Sequence, residues 1–102
     1  MYGIYTTESF DREALKLRVD DERLNKLFLQ LKENPYVGEQ LRYKNLREKR
    51  IKEKRIYYLV YDDLKAVLVV SISGKKDQQE TINHIIDNFD GYKKYLEKAI
   101  KP

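Results

Sequence analysis

Arg42-Tyr-Lys-Asn-Leu-Arg-Glu-Lys-Arg-Ile-Lys-Glu-Lys-Arg-Ile-Tyr-Tyr-Leu-Val-Tyr-Asp-Asp-Leu-Lys-Ala-Val-Leu-Val-Val-Ser-Ile-Ser-Gly-Lys-Lys76 is the segment on which the chain turns. Its first part, Arg42 to Arg55, holds eight Lys or Arg and two Glu in fourteen residues, a local charge of +6. An apolar, tyrosine-rich run follows, Ile56 to Tyr61, and then the acidic pair Asp62-Asp63. A second apolar run, Ala66 to Ile72, closes on Gly74-Lys75-Lys76. Two β-prone runs of strand length across an acidic turn read as a hairpin, with the basic run as a charged strand before it. Alternation puts Ile56, Tyr58 and Val60 on one face and Tyr57, Leu59 and Tyr61 on the other. Both faces are apolar, as in a central strand that is covered on both sides or lines a groove. In the charged strand Glu48, Arg50, Lys52 and Lys54 share one face, and Arg47, Lys49, Ile51, Glu53 and Arg55 the other. Cations aligned on one strand face repel one another unless an anion or water separates them.

Upstream, Gly3 to Thr6 reads as a short strand. Thr6 or Thr7 then caps a helix carrying Phe10, Ala14 and Leu17 on one face. Asp20 caps a second helix, whose Leu24, Leu27, Phe28 and Leu31 recur at i, i+3, i+4, i+7. Asn34-Pro35 ends it, because proline disfavours helix in the residue before it. The two helices form a hairpin with one apolar stripe, which must lie on the sheet. Downstream, Asp77 with Glu80 three residues on has the spacing of a capping box. Ile82, Ile85, Ile86 and Phe89 make a buried stripe, Asp90-Gly91 breaks or kinks the helix, and Tyr92, Tyr95, Leu96 and Ala99 resume the spacing. The expected order is β-α-α-β-β-β-α, an α+β fold in a single domain over 1-102.

The charge is confined to one place. The net +4 of the 102 residues is less than the +6 of Arg42–Arg55 alone. A single basic stripe is the footprint of a polyanion site, and the bland alternative is an edge strand kept soluble by lysines. There is no cysteine, so neither disulfides nor thiolate metal sites hold the fold. No apolar run has the ~20 residues that cross a membrane, and the N-terminus lacks the pattern of a signal peptide. A cytoplasmic protein without cofactor is expected. Asp62-Asp63 is a turn and not a metal site, since no third ligand accompanies it. His84, the one histidine, falls opposite the Ile82, Ile85 and Ile86 stripe and is expected at the surface.

The helical hairpin, the basic strand, Arg55-Ile-Tyr-Tyr-Leu-Val-Tyr-Asp-Asp63 and the following strand closing on Lys75-Lys76 together resemble the RelE/ParE superfamily of type II toxins. Gly74-Lys-Lys-Asp-Gln-Gln-Glu-Thr81 is similar to the Lys-Lys-x-Gln segment of its HigB-like branch. The resemblance spans roughly residues 2 to 90. It implies two N-terminal helices on one face of a twisted antiparallel sheet, with the other face open and basic for RNA. It implies an mRNA interferase, a metal-free endoribonuclease acting in the ribosomal A site and inhibiting translation. The implied partners are a cognate antitoxin, with its acidic segment laid over the basic sheet, and mRNA on the ribosome. A homodimer or a toxin–antitoxin hetero-oligomer is compatible with this. A ParE-like gyrase inhibitor that cleaves nothing, and an inactive RNA-binding relative, are the alternatives.

Metal-free RNA cleavage needs a group to take the 2′-OH proton, a group to protonate the leaving 5′ oxygen, and cations around the phosphorane. With one histidine, a two-histidine mechanism is out. Crowding by other cations eases loss of a lysine proton, so Lys52 or Lys54 is the expected acceptor. Arginine stays charged, and Arg55 is the expected phosphate clamp. Lys75 or Lys76 would balance charge near the leaving group. A one-residue slip of the strand would bring in Lys49 instead. Arg47 and Arg50 are expected to bind RNA, and Tyr57 and Tyr58 to stack on bases. On a straight ladder Lys75 lies several residues beyond Arg55, so the corner requires a curled strand end.

Overall fold

In the computed structural model, which describes residues 1–101, the hairpin is present. Strand β4 (Lys54–Tyr61) and strand β5 (Ala66–Ser73) pair antiparallel from Tyr61↔Ala66 to Arg55↔Ser73. A single 3-10 turn, Asp62–Leu64, joins them, and Lys65 takes the left-handed conformation at its end. The N-terminal strand β1 (Gly3–Thr6) lies beside β5, and strands β2 (Glu39–Gln40) and β3 (Leu46–Ile51) lie beyond β4, giving the order β1-β5-β4-β3-β2. The sheet is mixed and not purely antiparallel, because β1 runs parallel to β5.

The basic run is not one strand. It folds back on itself at Lys52-Glu53, so that Ile51 pairs with Lys54 and Arg50 with Arg55. Lys52 sits at φ 54, a conformation that usually calls for Gly or Asn. The tight turn also inverts the alternation. Arg55 therefore shares a face with Glu48 and Arg50, and Lys54 falls on the face of Lys49 and Ile51.

Two helices follow β1. Helix α1 (Glu8–Lys16) is capped by Thr7, whose Oγ1 accepts from the Phe10 N–H at 3.1 Å. Helix α2 (Asp21–Glu33) is capped by Asp20, which accepts from the Arg23 N–H at 3.2 Å. Leu24, Leu27 and Leu31 of α2, with half-buried Phe28, meet Phe10, Ile56, Tyr58, Val60, Val67 and Val69 in one core. The spacing-based expectation for this helix holds.

The C-terminal segment forms two helices, α3 (Gln78–Asp87) and α4 (Phe89–Ile100). The break is at Asn88, not at Asp90-Gly91, and Gly91 lies within α4. The Asn88 carboxamide donates to the His84 carbonyl at 2.7 Å, replacing a helical bond with a side-chain one. Asp77 precedes α3 without a side-chain cap bond. These helices cover the second face of the sheet. Ile82, Ile85 and Leu96 pack with Leu46, Tyr57, Leu59, Tyr61, Leu68 and Val70. The expectation of an open second face is overturned. Tyr57, Leu59 and Leu68 on that side are too apolar to stay wet, and α3 and α4 supply the matching stripe. The sheet is a filling between two helical layers.

Candidate nucleic-acid interface

What the sheet faces do not leave open, its end does. At the end where the β3–β4 turn meets the close of β5, an open cleft of about 460 Å³ is lined by Arg50, Lys52, Glu53, Lys54, Arg55, Gly74 and Lys75. Five cations face one carboxylate there. A second cleft of about 410 Å³ adjoins it, lined by Val37, Glu39, Glu48, Lys49, Arg50, Arg55 and Gln78. Arg50 and Arg55 line both clefts, and they stand directly opposite each other across the ladder. Like charges so placed repel, and an anion bound between them would remove the cost.

Arg55 differs from the other cations. Its side chain is 7% exposed, and so is that of Glu48, its partner at 3.5 Å from Nε to Oε1. The pair is imperfect, because the buried Arg55 Nε has no hydrogen-bond partner. Glu48 also accepts from the Gln78 Nε2 at 2.9 Å, which ties the first turn of α3 to the strand. Beside them the Tyr57 hydroxyl bonds the Ser73 hydroxyl at 2.8 Å, and Ser73 donates to the Gly74 carbonyl at 2.9 Å. A layer of buried polar groups thus lies under the cationic cleft.

The curled strand end is also present. Between Tyr57 and Tyr58 the β4–β5 register shifts by one, leaving Val70 as an extra residue on β5. With the asymmetric turn at Asp62–Lys65, the bulge brings Ser73 opposite Arg55. Lys75 follows two residues later and joins the lining. Lys76 is exposed but lines neither cleft.

Other expected site residues stand elsewhere. Tyr57 and Tyr58 are wholly buried, one in each core, so neither ring has a face for a base. Burial pushes both phenols above their ordinary pKa. The Tyr58 hydroxyl accepts from the Gly38 N–H at 2.9 Å, an anchor for the segment before β2. Arg47 is committed locally: it donates to the Lys44 and Gly38 carbonyls and lies over the Tyr36 ring at 4.9 Å. Lys52 reaches across to Asp20, 3.5 Å away, from a largely exposed position. His84 is exposed on α3, away from the clefts. At the opposite end of the hairpin, Asp62 accepts from both the Tyr2 and Tyr36 hydroxyls at 2.7 Å. Among the described residues no group of three His, Cys, Asp or Glu side chains is placed to hold a metal, and no helix is long and apolar enough to cross a membrane.

The layout of helices and sheet recurs in solved structures. A doubly substituted E. coli toxin RelE in the free state superposes with a TM-score of 0.69 at 20% identity, over 85% of this chain and 96% of that one. The chain has the RelE toxin fold. RelE-like geometry is also seen in a copper-bound mutant toxin from Helicobacter pylori, with a TM-score of 0.59 at 25% identity over 76% of this chain and 98% of that one. A RelBE toxin–antitoxin complex of Mycobacterium tuberculosis matches with a TM-score of 0.60 at 22% identity, over 72% of this chain and 91% of the matched one. No protein-family model and no curated relative matches the sequence.

Glu48, Ser73 and Gln78 were not legible as site residues. A Glu in a basic run gives no sign that it is buried. Gln78 had one signal, the Lys75-Lys76-Asp77-Gln78 segment that is similar to the HigB-like branch.

Proposed function

We propose that this chain is the toxin of a type II toxin–antitoxin pair and that its cationic cleft binds and cuts mRNA on the ribosome, in the cytoplasm and without a metal ion. The observation that carries this reading is the convergence of Arg50, Lys52, Lys54, Arg55 and Lys75, drawn from β3, the tight turn, β4 and the end of β5, on one cleft. A solubility device would scatter such charge. Here it is gathered over a buried polar layer.

In this reading Arg50 and Arg55 hold the scissile phosphate from both sides. Lys54 takes the 2′-OH proton, since the Lys52 side chain is engaged by Asp20. The 2′ oxygen attacks phosphorus, the bond to the 5′ oxygen breaks, and the products are a 2′,3′-cyclic phosphate and a 5′-hydroxyl. Lys75 gives the departing oxygen its proton. Preplaced cations around a developing oxyanion are worth about 3–4 kcal/mol each in the transition state. The RelBE complex among the matched structures supports an antitoxin partner. Its acidic segment would cross the two clefts at the sheet's end, since the sheet face expected to receive it is covered.

The test is induction in cells with growth, primer extension on a reporter mRNA and DNA supercoiling followed together. Wild type should arrest growth with discrete cuts. Arg50→Ala, an exposed position, should lower cutting by about 10² without changing the thermal melt. Growth arrest without cuts and with altered supercoiling would replace this reading with gyrase inhibition.

A further inference from the structure

A third hollow, of about 300 Å³, lies on the other side of the β3–β4 turn. It is lined by Leu17, Arg18, Val19 and Asp20 from the α1–α2 connection and by Ile51, Lys52, Glu53 and Lys54 from the turn. Lys52, Glu53 and Lys54 also line the cationic cleft, so the two spaces share one wall and a single strand crossing it would occupy both. Their chemistry differs. The cationic cleft offers charge. The hollow offers an apolar floor, Leu17, Val19 and Ile51, under a rim of charged side chains. That pairing of an apolar floor with polar groups at its edge suits a nucleobase.

The rim has two carboxylates, exposed Glu53 on the turn and Asp20, and Asp20 is held in place by a backbone hydrogen bond. The Asp20 carboxylate takes the Arg23 N–H at 3.2 Å on Oδ1, and its Oδ2 contacts, Lys52 at 3.5 Å and Arg23 Nε at 3.7 Å, are too long for good hydrogen bonds. Lone pairs remain free on both oxygens. The Arg23 N–H, and then Lys52, hold this carboxyl below the usual range, so it is an anion at neutral pH. A carboxylate only accepts, and it selects a base edge bearing an amino group.

The geometry points to the hollow between the α1–α2 connection and the β3–β4 turn as a base-reading subsite, in which Asp20 favours an amino-bearing base next to the phosphate held by Arg50 and Arg55. The subsite rests on the RNA-binding reading above. It makes Asp20 a specificity residue, with no part in the bond-breaking step. A hydrogen bond to a charged group is worth roughly ten-fold or more in affinity.

The experiment uses the full chain and short single-stranded RNAs that differ only in cytosine against uracil, which exchange an amino group for an oxygen at one position. Binding is measured by fluorescence anisotropy for wild type, Asp20→Asn and Arg50→Ala. Asparagine caps a helix as well as aspartate does, and a thermal melt confirms that α2 is retained. Wild type should bind the cytosine RNA about ten-fold tighter, and Asp20→Asn should lose that preference while binding the uracil RNA as before. Arg50→Ala should weaken both RNAs equally. Equal binding of the two RNAs by wild type, with Arg50→Ala weakening both, would overturn the subsite and leave the RNA reading standing. A preference that survives in Asp20→Asn would place base reading elsewhere and overturn it too. Binding that is absent, or indifferent to Arg50→Ala, would overturn the RNA reading and the subsite with it.

Discussion

Arg55→Ala should unfold this protein more readily than it disarms it. Arg55 and Glu48 are each 7% exposed on their side chains and lie 3.5 Å apart. Truncating the arginine leaves a buried carboxylate whose remaining hydrogen bond comes from the neutral Gln78 amide. Removing one partner of a buried pair costs about 3–5 kcal/mol, because the other charge stays desolvated. Two features favour the lower end. The pair is already imperfect, with Nε unbonded, and Arg50 stands next to the vacated site on the same face. About 3 kcal/mol is a large share of the ~5–15 kcal/mol that holds a domain of this size, and it corresponds to a fall in Tm of roughly 12–24 °C. The assay is a thermal melt by circular dichroism for Arg55→Ala, Glu48→Gln and Arg55→Met with Glu48→Met. The double apolar variant should recover much of the loss, since buried ion pairs are often replaceable by packed hydrophobes. An Arg55→Ala melt within about 2 °C of wild type would refute the reasoning and show that the pair is solvated. The same logic makes Arg50, not Arg55, the proper probe of activity.

Other outcomes follow from the same structure. Leu27→Ala, at a buried position in the core under α2, should cost about 2–5 kcal/mol, and an unchanged melt would remove that helix from the core. Gly38→Ala would set its Cβ 2.7 Å from the Glu48 carbonyl oxygen and 2.5 Å from the Tyr58 hydroxyl; a loss of about 1–3 kcal/mol is expected in urea titration. The Asp62 carboxyl is held below its usual pKa by the Tyr2 and Tyr36 hydroxyls. Its contribution is therefore present above the unfolded pKa of about 3.9 and lost as pH falls through the lower folded value. Tyr2→Phe with Tyr36→Phe should flatten acid destabilisation in stability measured from pH 5 to 2, and an unaltered profile would contradict the clamp. Arg50→Ala with Lys75→Ala should reduce the salt slope of RNA binding by about 1.4, at ~0.7 per phosphate contact on a single strand; an unchanged slope would mean that neither side chain touches phosphate.

Periodicity carried the helices. Leu24, Leu27, Phe28 and Leu31 could face only one way, whereas the doubly apolar Ile56–Tyr61 fitted a strand covered on both sides and one lining a groove equally well. What the sequence concealed was a turn. Lys52-Glu53 has none of the Gly or Asn that a two-residue hairpin usually needs, so the basic run read as one strand and Arg55 was placed on the wrong face. The tyrosines misled for a related reason: Tyr57 and Tyr58 look alike in a base-stacking platform and in a core, and only the helices over each face decide. The cleft itself was half legible. Its cations were visible as a charge run. The bulge at Val70 that brings Lys75 beside them leaves no mark in the apolar run Ala66-Val-Leu-Val-Val-Ser-Ile72, nor is there any sign of the burial of Glu48.

The parallel pairing of β1 with β5 sets a constraint on how the chain is born. Gly3 meets Ala66, and Thr6 meets Val69, so the first strand off the ribosome has no partner until the last strand has emerged. The apolar stripes of α1 and α2 wait equally, for their floor is Ile56, Tyr58, Val67 and Val69. The antiparallel β3–β4–β5 meander, whose contacts are local, is the part able to form first, and β1 must then add to its edge by closing a loop that contains both helices. Synthesis therefore leaves a long interval in which an amphipathic helical hairpin is exposed and β1 is unpaired, the condition under which a nascent chain is most open to capture by another protein.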